Sequence, residues 1–336
     1  MKVLLHTGKL KEVKKSGVGR AIIHQMKALD LVNVPYTTDV NDDFDIVHIN
    51  TIFPESLLLA KKCKKRGKKV VFHAHSTEED FRNSFKLSNA VSPIFKQWLK
   101  SCYGSADILI TPTEYSKKLL ENYDLGKEII AISNGIDLEF FDRKKCNPKE
   151  FRKKYGYTSS DKIIMAVGLY IERKGILEFL ELAKRMPEYK FIWFGYTNPA
   201  LIPENISKAI KNKPNNVLFP GYVDSNELRE AYAACDLYIF PTKEETEGIV
   251  LLEALAMKTK TLVSDIPIYN TLKDGKNIYK AGNIDEFERK IKSIISGKLP
   301  DITEEGYKIA KERDIKKIGL QLKKVYQRVL EEDFVK

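Results

Sequence analysis

Two glutamates separated by seven residues, Glu245 and Glu253, flank a glycine that opens an apolar run, and here the chain concentrates its chemistry. The segment reads Pro241-Thr242-Lys243-Glu244-Glu245-Thr246-Glu247-Gly248-Ile249-Val250-Leu251-Leu252-Glu253-Ala254-Leu255-Ala256. A strand ending at Pro241, an acidic loop and a helix opening at Gly248 leave the N–H groups of Gly248, Ile249 and Val250 without intrahelical partners. Those groups and the positive end of the helix dipole favour an anion, and a diphosphate suits the place. Glu253, one turn into the helix, can accept hydrogen bonds from ribose hydroxyls. Glu245, on the loop, faces where a sugar would hang. A surface helix with an acidic N-terminal cluster has the same composition and binds nothing.

A second group is Val167-Gly168-Leu169-Tyr170-Ile171-Glu172-Arg173-Lys174-Gly175, between a strand and a helix. Its glycines allow tight turns, and Lys174 offers a point charge for phosphate oxygens, with Arg173 beside it. Asn216–Val223 reads as a strand and turn carrying Tyr222, or as a plain hairpin-like turn. In the first half, Ser16-Gly17-Val18-Gly19-Arg20 follows a short basic loop and opens a helix, where Gly17 lets backbone approach a phosphate. It is not a dinucleotide fingerprint, because Ile22 holds the third glycine position. His73-Ala74-His75-Ser76 ends an apolar strand, the edge at which parallel sheets bind ligands. Either histidine could equally be a satisfied core residue. With no third ligand in view, a metal is not expected.

The elements that must position these residues alternate regularly. Val3–His6, Ile46–Asn50, Val70–Ala74, Ile108–Thr111 and Ile129–Ile132 are short Val- and Ile-rich runs suited to buried parallel strands. Helical spacing separates them over Gly19–Leu31, Pro54–Arg66 and Ser116–Tyr123. The rhythm restarts at Ile163–Val167, Phe191–Phe194, Val217–Phe219, Leu237–Phe240 and Thr261–Ser264, with helices such as Ile176–Met186 and Glu227–Ala234. Two α/β domains follow, each a doubly wound parallel sheet, over residues 1–150 and 151–314, joined through the charged stretch Asp137–Asp161. A last helix over 315–336 has an apolar stripe at Ile318, Leu322, Val325 and Val329 and must pack on something.

Bulk properties narrow the class. Hydrophobic residues at 43% and charged residues at 31% describe a folded, soluble chain. No apolar run approaches the ~18–20 residues of a membrane span, and the start has no secretory pattern, so a cytoplasmic location is expected. Cys63, Cys102, Cys146 and Cys235 are scattered and read as reduced thiols. The net charge of +11 asks for an anionic partner or a lysine-rich solvated surface. No helix-turn-helix, zinc-finger or RNP-like signature accompanies it, so nucleic acid is not expected.

The Glu245–Glu253 spacing followed by Ala254-Leu255-Ala256, the Lys174-Gly175 pair and Ser133-Asn134-Gly135-Ile136-Asp137 together resemble glycosyltransferase family 4. That resemblance runs over nearly the whole chain. It implies the GT-B fold, two Rossmann-like domains facing across a cleft, and a retaining transfer that needs no cofactor or metal. It makes Glu245 the contact to the donor sugar, Glu253 the contact to the ribose, and Gly17, Arg173, Lys174, Gly248, Ile249, Val250 and Tyr222 the remaining donor-side residues. By the same resemblance, His75 aligns with the family's histidine near the reacting sugar. Leu169 stands where the family usually has Arg, and Lys258 and Lys260 replace its common Gly and Pro.

The acceptor is read from a basic, aromatic stretch. Phe81, Phe85, Phe95 and Trp98 are interleaved with Arg82, Lys86, Lys96 and Lys100, and Lys64 and Lys65 sit in the nearby run Lys61–Lys69. This suggests contact with an anionic membrane surface, against an ordinary core-facing helix beside a solvated lysine run. Within the family the combination resembles bacterial enzymes that glycosylate diacylglycerol or monoglucosyldiacylglycerol. The expectation is an α-linked hexose moved from UDP-glucose to such a glycolipid, peripherally on the inner face of the membrane. A capsular or other surface-polysaccharide transferase with a polyprenyl-linked acceptor, and a catalytically silent nucleotide-sugar-binding protein, remain open. The sequence does not fix the oligomeric state.

Overall fold

Short β-branched runs cannot bury both faces alone, and in this protein they are collected into two six-stranded parallel sheets. The structure, a computed structural model, describes residues 1–8, 16–85 and 87–331. The basic loop after the first strand lies mostly outside the described residues, as does Lys86.

The first sheet has the order β2-β1-β3-β4-β5-β6, from β1 (Val3–His6), β2 (Tyr36–Thr37), β3 (Ile46–Ile49), β4 (Lys69–His73), β5 (Ile108–Thr111) and β6 (Glu128–Ala131). Its helices are α1 (Gly17–Leu31), α2 (Pro54–Lys65), α3 (Glu78–Phe81), α4 (Ser88–Tyr103) and α5 (Glu114–Glu121). The second has the order β12-β11-β10-β7-β8-β9, from β7 (Ile163–Val167), β8 (Lys190–Phe194), β9 (Val217–Gly221), β10 (Leu237–Phe240), β11 (Thr261–Ser264) and β12 (Tyr279–Ala281). Its helices are α6 (Pro148–Lys154), α7 (Ile176–Arg185), α8 (Glu204–Lys211), α9 (Ser225–Ala234), α10 (Ile249–Ala256), α11 (Ile284–Ile295) and α12 (Thr303–Glu312). The last helix, α13 (Ile315–Glu331), gathers Ile318, Leu322, Val325, Tyr326 and Val329 into one core with Leu29 and Val32 at the end of α1 and with Val3, Ile46, Val71, Ile108 and Ile110 of the first sheet. Its apolar stripe thus finds its partner there.

In each sheet the strand order reverses once, between β1 and β3 in the first and between β7 and β10 in the second. Loops leaving such a pair diverge and open a crevice beyond the strand ends. The segment Val217–Gly221, which the sequence also allowed as a hairpin-like turn, pairs in parallel with β8.

The two compact units do not divide the chain at residue 150. One unit holds residues 1–81, 89–135 and the chain from Arg313; the other holds Arg82–Ser88 and Ile136–Glu312. The reason is burial: Ile136, Phe141 and Phe151 sit in the core of the second unit, at most 4% exposed. The stretch Asp137–Asp161 is therefore largely part of that unit, with Pro148 at the first position of α6, where its missing N–H costs nothing.

Candidate active site

In the second unit, β7 and β10 bring together segments far apart in sequence. β7 leads to Gly168 and the 3-10 turn Glu172–Lys174; β10 leads to Pro241 and the loop before α10. Gly175, at φ +78, permits the junction: a Cβ there would lie 2.0 Å from the Pro241 carbonyl oxygen. Gly248, at φ +83, precedes α10, and its added Cβ would meet the Phe240 ring at 2.9 Å. Both positions demand glycine.

The charged groups meet inside this junction. Lys174 Nζ donates to Glu245 Oε1, Thr242 Oγ1 donates to the same oxygen at 2.7 Å, and Arg173 Nη1 lies 3.7 Å from it. Glu245 is 5% exposed. Burial alone would raise its carboxyl, but Lys174 and Arg173 outweigh that and hold it below the ordinary carboxylate range. It is an anion at neutral pH. Arg173 is fixed further by donating from Nη1 to the Glu244 carbonyl at 2.6 Å. The arrangement presents two cations beside a helix start, which suits a phosphate, and one carboxylate, which suits hydroxyls.

Glu253 has no exposed surface. Tyr232 Oη lies 3.1 Å from Glu253 Oε2 and 3.0 Å from the Val250 carbonyl, so the tyrosine ties the carboxylate to the first turn of α10. Tyr238 lies in the field of both Glu253 and Glu245; burial first, then those carboxylates, pushes its hydroxyl well up. Ile249 is nearly buried, Val250 half-buried, and Tyr222 is 39% exposed beyond β9.

In the first unit, Gly17 opens α1, and Ser16 caps it by accepting from the Gly19 N–H at 3.4 Å. At the ends of β3 and β4, three imidazoles stack: His48 on His73 at 5.4 Å and His73 on His75 at 4.2 Å between ring centres. His75 Nε2 donates to Asn50 Oδ1 at 2.9 Å; Gln25 Nε2, from α1, donates to that oxygen at 2.8 Å and to His73 Nδ1 at 2.9 Å. His48 Nδ1 pairs with Tyr326 Oη of α13 at 2.5 Å. Burial pushes His48 and His75 down to about 3, and His73 well down also, so all three are neutral at pH 7. His75 and Asn50 line a cavity of about 70 Å³ with Val18, Thr51, Phe53 and Tyr103, at the strand-order reversal. Among the described residues no three His, Cys, Asp or Glu side chains group as metal ligands do.

The aromatic residues expected to face a membrane turn partly inward. Phe95 and Trp98 pack on the core of the first unit; Phe81 stacks on Phe95 at 4.1 Å, and Trp98 Nε1 donates to the Ile52 carbonyl at 2.7 Å. Phe85 is half-buried in the second unit. α4 exposes Val91 and Ile94 instead, at 40% and 72%. Lys64 pairs with Asp107 at 3.1 Å, while Lys65 is exposed at the end of α2. Sequence reasoning passed over Gln25, His48, Asn50, Ser84 and Thr242. The available signal was the polar pair His48 and Asn50 at the end of an otherwise apolar strand.

Comparison with known proteins agrees with this architecture. A family described as Glycosyl transferases group 1 matches residues 147–313, and one described as Glycosyltransferase Family 4 matches residues 24–140. The processive diacylglycerol alpha-glucosyltransferase of Acholeplasma laidlawii is 43% identical over 98% of this chain and 99% of its own length. The alpha-galactosylglucosyldiacylglycerol synthase of Streptococcus pneumoniae is 25% identical over 80% of this chain and 72% of its own. Among solved structures, Anabaena HepE in complex with UDP-glucose superposes with a TM-score of 0.75 at 17% identity, covering 98% of this chain and 100% of that one. With two parallel six-stranded sheets of the GT-B kind, near full-length similarity to a glucosyltransferase and both family descriptions matched, the chain belongs to glycosyltransferase family 4 and is a hexosyltransferase.

Proposed function

We propose that the protein moves glucose, or a related hexose, from UDP-glucose to a membrane glycolipid such as monoglucosyldiacylglycerol, forming an α-linkage with retention. The observation that carries this reading is the end-to-end similarity to the Acholeplasma enzyme, whose name places its acceptor among diacylglycerol lipids.

The residues take the following roles in this reading. The N–H groups of Gly248, Ile249 and Val250, with Arg173 and Lys174, hold the diphosphate and stabilise it as it departs. Lys174, paired with Glu245, then divides its charge between that carboxylate and phosphate. Glu245 steadies the donor sugar as positive charge grows at its anomeric carbon. Glu253 serves the ribose once Tyr232 yields, Tyr222 borders the base, and Gly17, at the start of α1, is assigned to the donor side. The acceptor hydroxyl attacks the face the diphosphate leaves, and a diphosphate oxygen takes its proton. His75, neutral and lining the small cavity, is the histidine this reading assigns to the acceptor side. No cofactor or metal enters the scheme.

Peripheral attachment to the inner face of the membrane belongs to the same proposal. Its support is the net charge of +11, the exposed cations Lys65 and Arg66, and the apolar pair Val91 and Ile94. No helix among the described residues is long and apolar enough to cross a bilayer. The decisive assay offers radiolabelled UDP-glucose and UDP-galactose with diacylglycerol, monoglucosyldiacylglycerol and polyprenyl phosphate, separating products by polarity. A labelled glycolipid cleaved by α-glucosidase supports the reading. Label found only on the polyprenyl carrier would replace it with surface-polysaccharide synthesis.

A further inference from the structure

Residues 82–88 lie in sequence between α3 and α4, helices whose other residues belong to the first unit, yet this stretch belongs to the second. It meets that unit at Arg173. The Arg173 N–H donates to the Asn83 carbonyl at 3.1 Å, and Arg173 Nε donates to Ser84 Oγ at 3.0 Å. From the other side, Arg173 Nη1 donates to the Glu244 carbonyl at 2.6 Å. Asn83 turns the backbone with φ +55, and Ser84 is 2% exposed.

A planar guanidinium held at Nε and Nη1 has its orientation set, and Nη2 takes no hydrogen bond among the described residues. Left to itself, an arginine side chain turns about four torsions and loses that freedom on binding an anion. Held by these bonds and half-buried, it has lost the freedom beforehand, which is preorganisation. We propose that Ser84 is a positioning residue of the donor site: its hydroxyl orients Arg173 so that Nη2 meets the diphosphate of the nucleotide sugar. The proposal rests on the reading of Arg173 as a diphosphate ligand.

The test uses the full-length protein with Ser84→Ala, Ser84→Thr and Arg173→Ala, plus the Ser84→Ala/Arg173→Ala double variant. UDP affinity is measured by calorimetry, and KM is measured separately for donor and acceptor. Ser84→Ala is expected to weaken UDP and raise donor KM by roughly tenfold, the worth of one hydrogen bond to a charged group, with acceptor KM unchanged. Ser84→Thr keeps the hydroxyl and stays within about twofold of the parent, since the bond is retained. In the double variant Ser84→Ala adds nothing to Arg173→Ala. If Arg173→Ala weakens UDP while Ser84→Ala does not, the positioning role is overturned and the diphosphate role of Arg173 stands. If Arg173→Ala leaves UDP affinity unchanged, the underlying reading falls with it. Equal losses for donor and acceptor that Ser84→Thr fails to restore would also overturn the proposal, because they indicate general damage to the fold.

Discussion

Lys174 and Glu245 are 71 residues apart in sequence and share one hydrogen bond in a mostly buried junction. Removing either leaves the other charged and buried, which is far costlier than removing both. Lys174→Met and Glu245→Gln should therefore destabilise non-additively, with a coupling of about 0.5–3 kcal/mol in a double-mutant cycle read by urea denaturation. Glu245→Gln should also lower transfer about 100- to 1,000-fold while the circular dichroism spectrum is unchanged. The stacked histidines make a separate prediction. Their folded pKa values lie below the ordinary 6.5, so the unfolded chain binds protons that the folded chain does not. Stability is then fully present above pH 6.5 and falls as pH drops toward 3, by about 1.4 kcal/mol per pH unit for each histidine well below 6.5. Denaturation midpoints at pH 7.5 and 5.5 check this, and His73→Gln should flatten the slope. Residue types around the loop before α10 were legible in the sequence because a helix start and an acidic loop leave a local pattern. The pairing of Lys174 with Glu245, and of Ser84 with Arg173, was not, because it depends on which strands become neighbours.

Elements bring those partners together, and their junctions tolerate little change. Gly175→Ala places a Cβ against the Pro241 carbonyl at a left-handed φ; a loss of about 1–3 kcal/mol from backbone strain alone is expected, more with the clash, measured as a lowered urea midpoint. On the other unit, Leu322 of α13 is completely buried in the core that this helix shares with α1 and the first sheet. Leu322→Ala should cost about 2–5 kcal/mol through lost burial and the cavity left behind. Most strands could be read from their β-branched runs, since a buried parallel strand has few other sequences open to it. The edge strands β2 and β12, of two and three residues, carry too little pattern to stand out. Helical periodicity showed that α4 has an apolar side without showing which residues lie on it. Trp98 and Phe95 were read as outward, and packing on the first unit turns them in while Val91 and Ile94 take the solvent.

For the molecule as a whole, an excess of +11 charges is a long-range attraction that salt can weaken. Binding to vesicles should require anionic lipid at low salt and fall sharply toward 1 M salt, where the screening length shrinks to about 3 Å. The Val91→Asp/Ile94→Asp variant should float poorly with vesicles yet keep turnover on a detergent-dispersed acceptor. Two domains were legible from the repeated strand–helix rhythm, but their borders were not. Ownership of a segment depends on the core that buries it, as Ile136 and Phe141 show.

The route of the chain has a bearing on how such proteins can be cut, shuffled or recombined. It passes between the units four times, after residues 81, 88, 135 and 312. A gene fragment ending at residue 135 would strand Val3, Ile46, Val71, Ile108 and Ile110 without their cover, and a fragment of 136–312 would lack the serine that braces Arg173. Swapping either unit for a relative's is then not a matter of one crossover: three stretches of coding sequence have to travel together for the first unit and two for the second, and a chimera that exchanges only one of them inherits an exposed face or a loosened arginine.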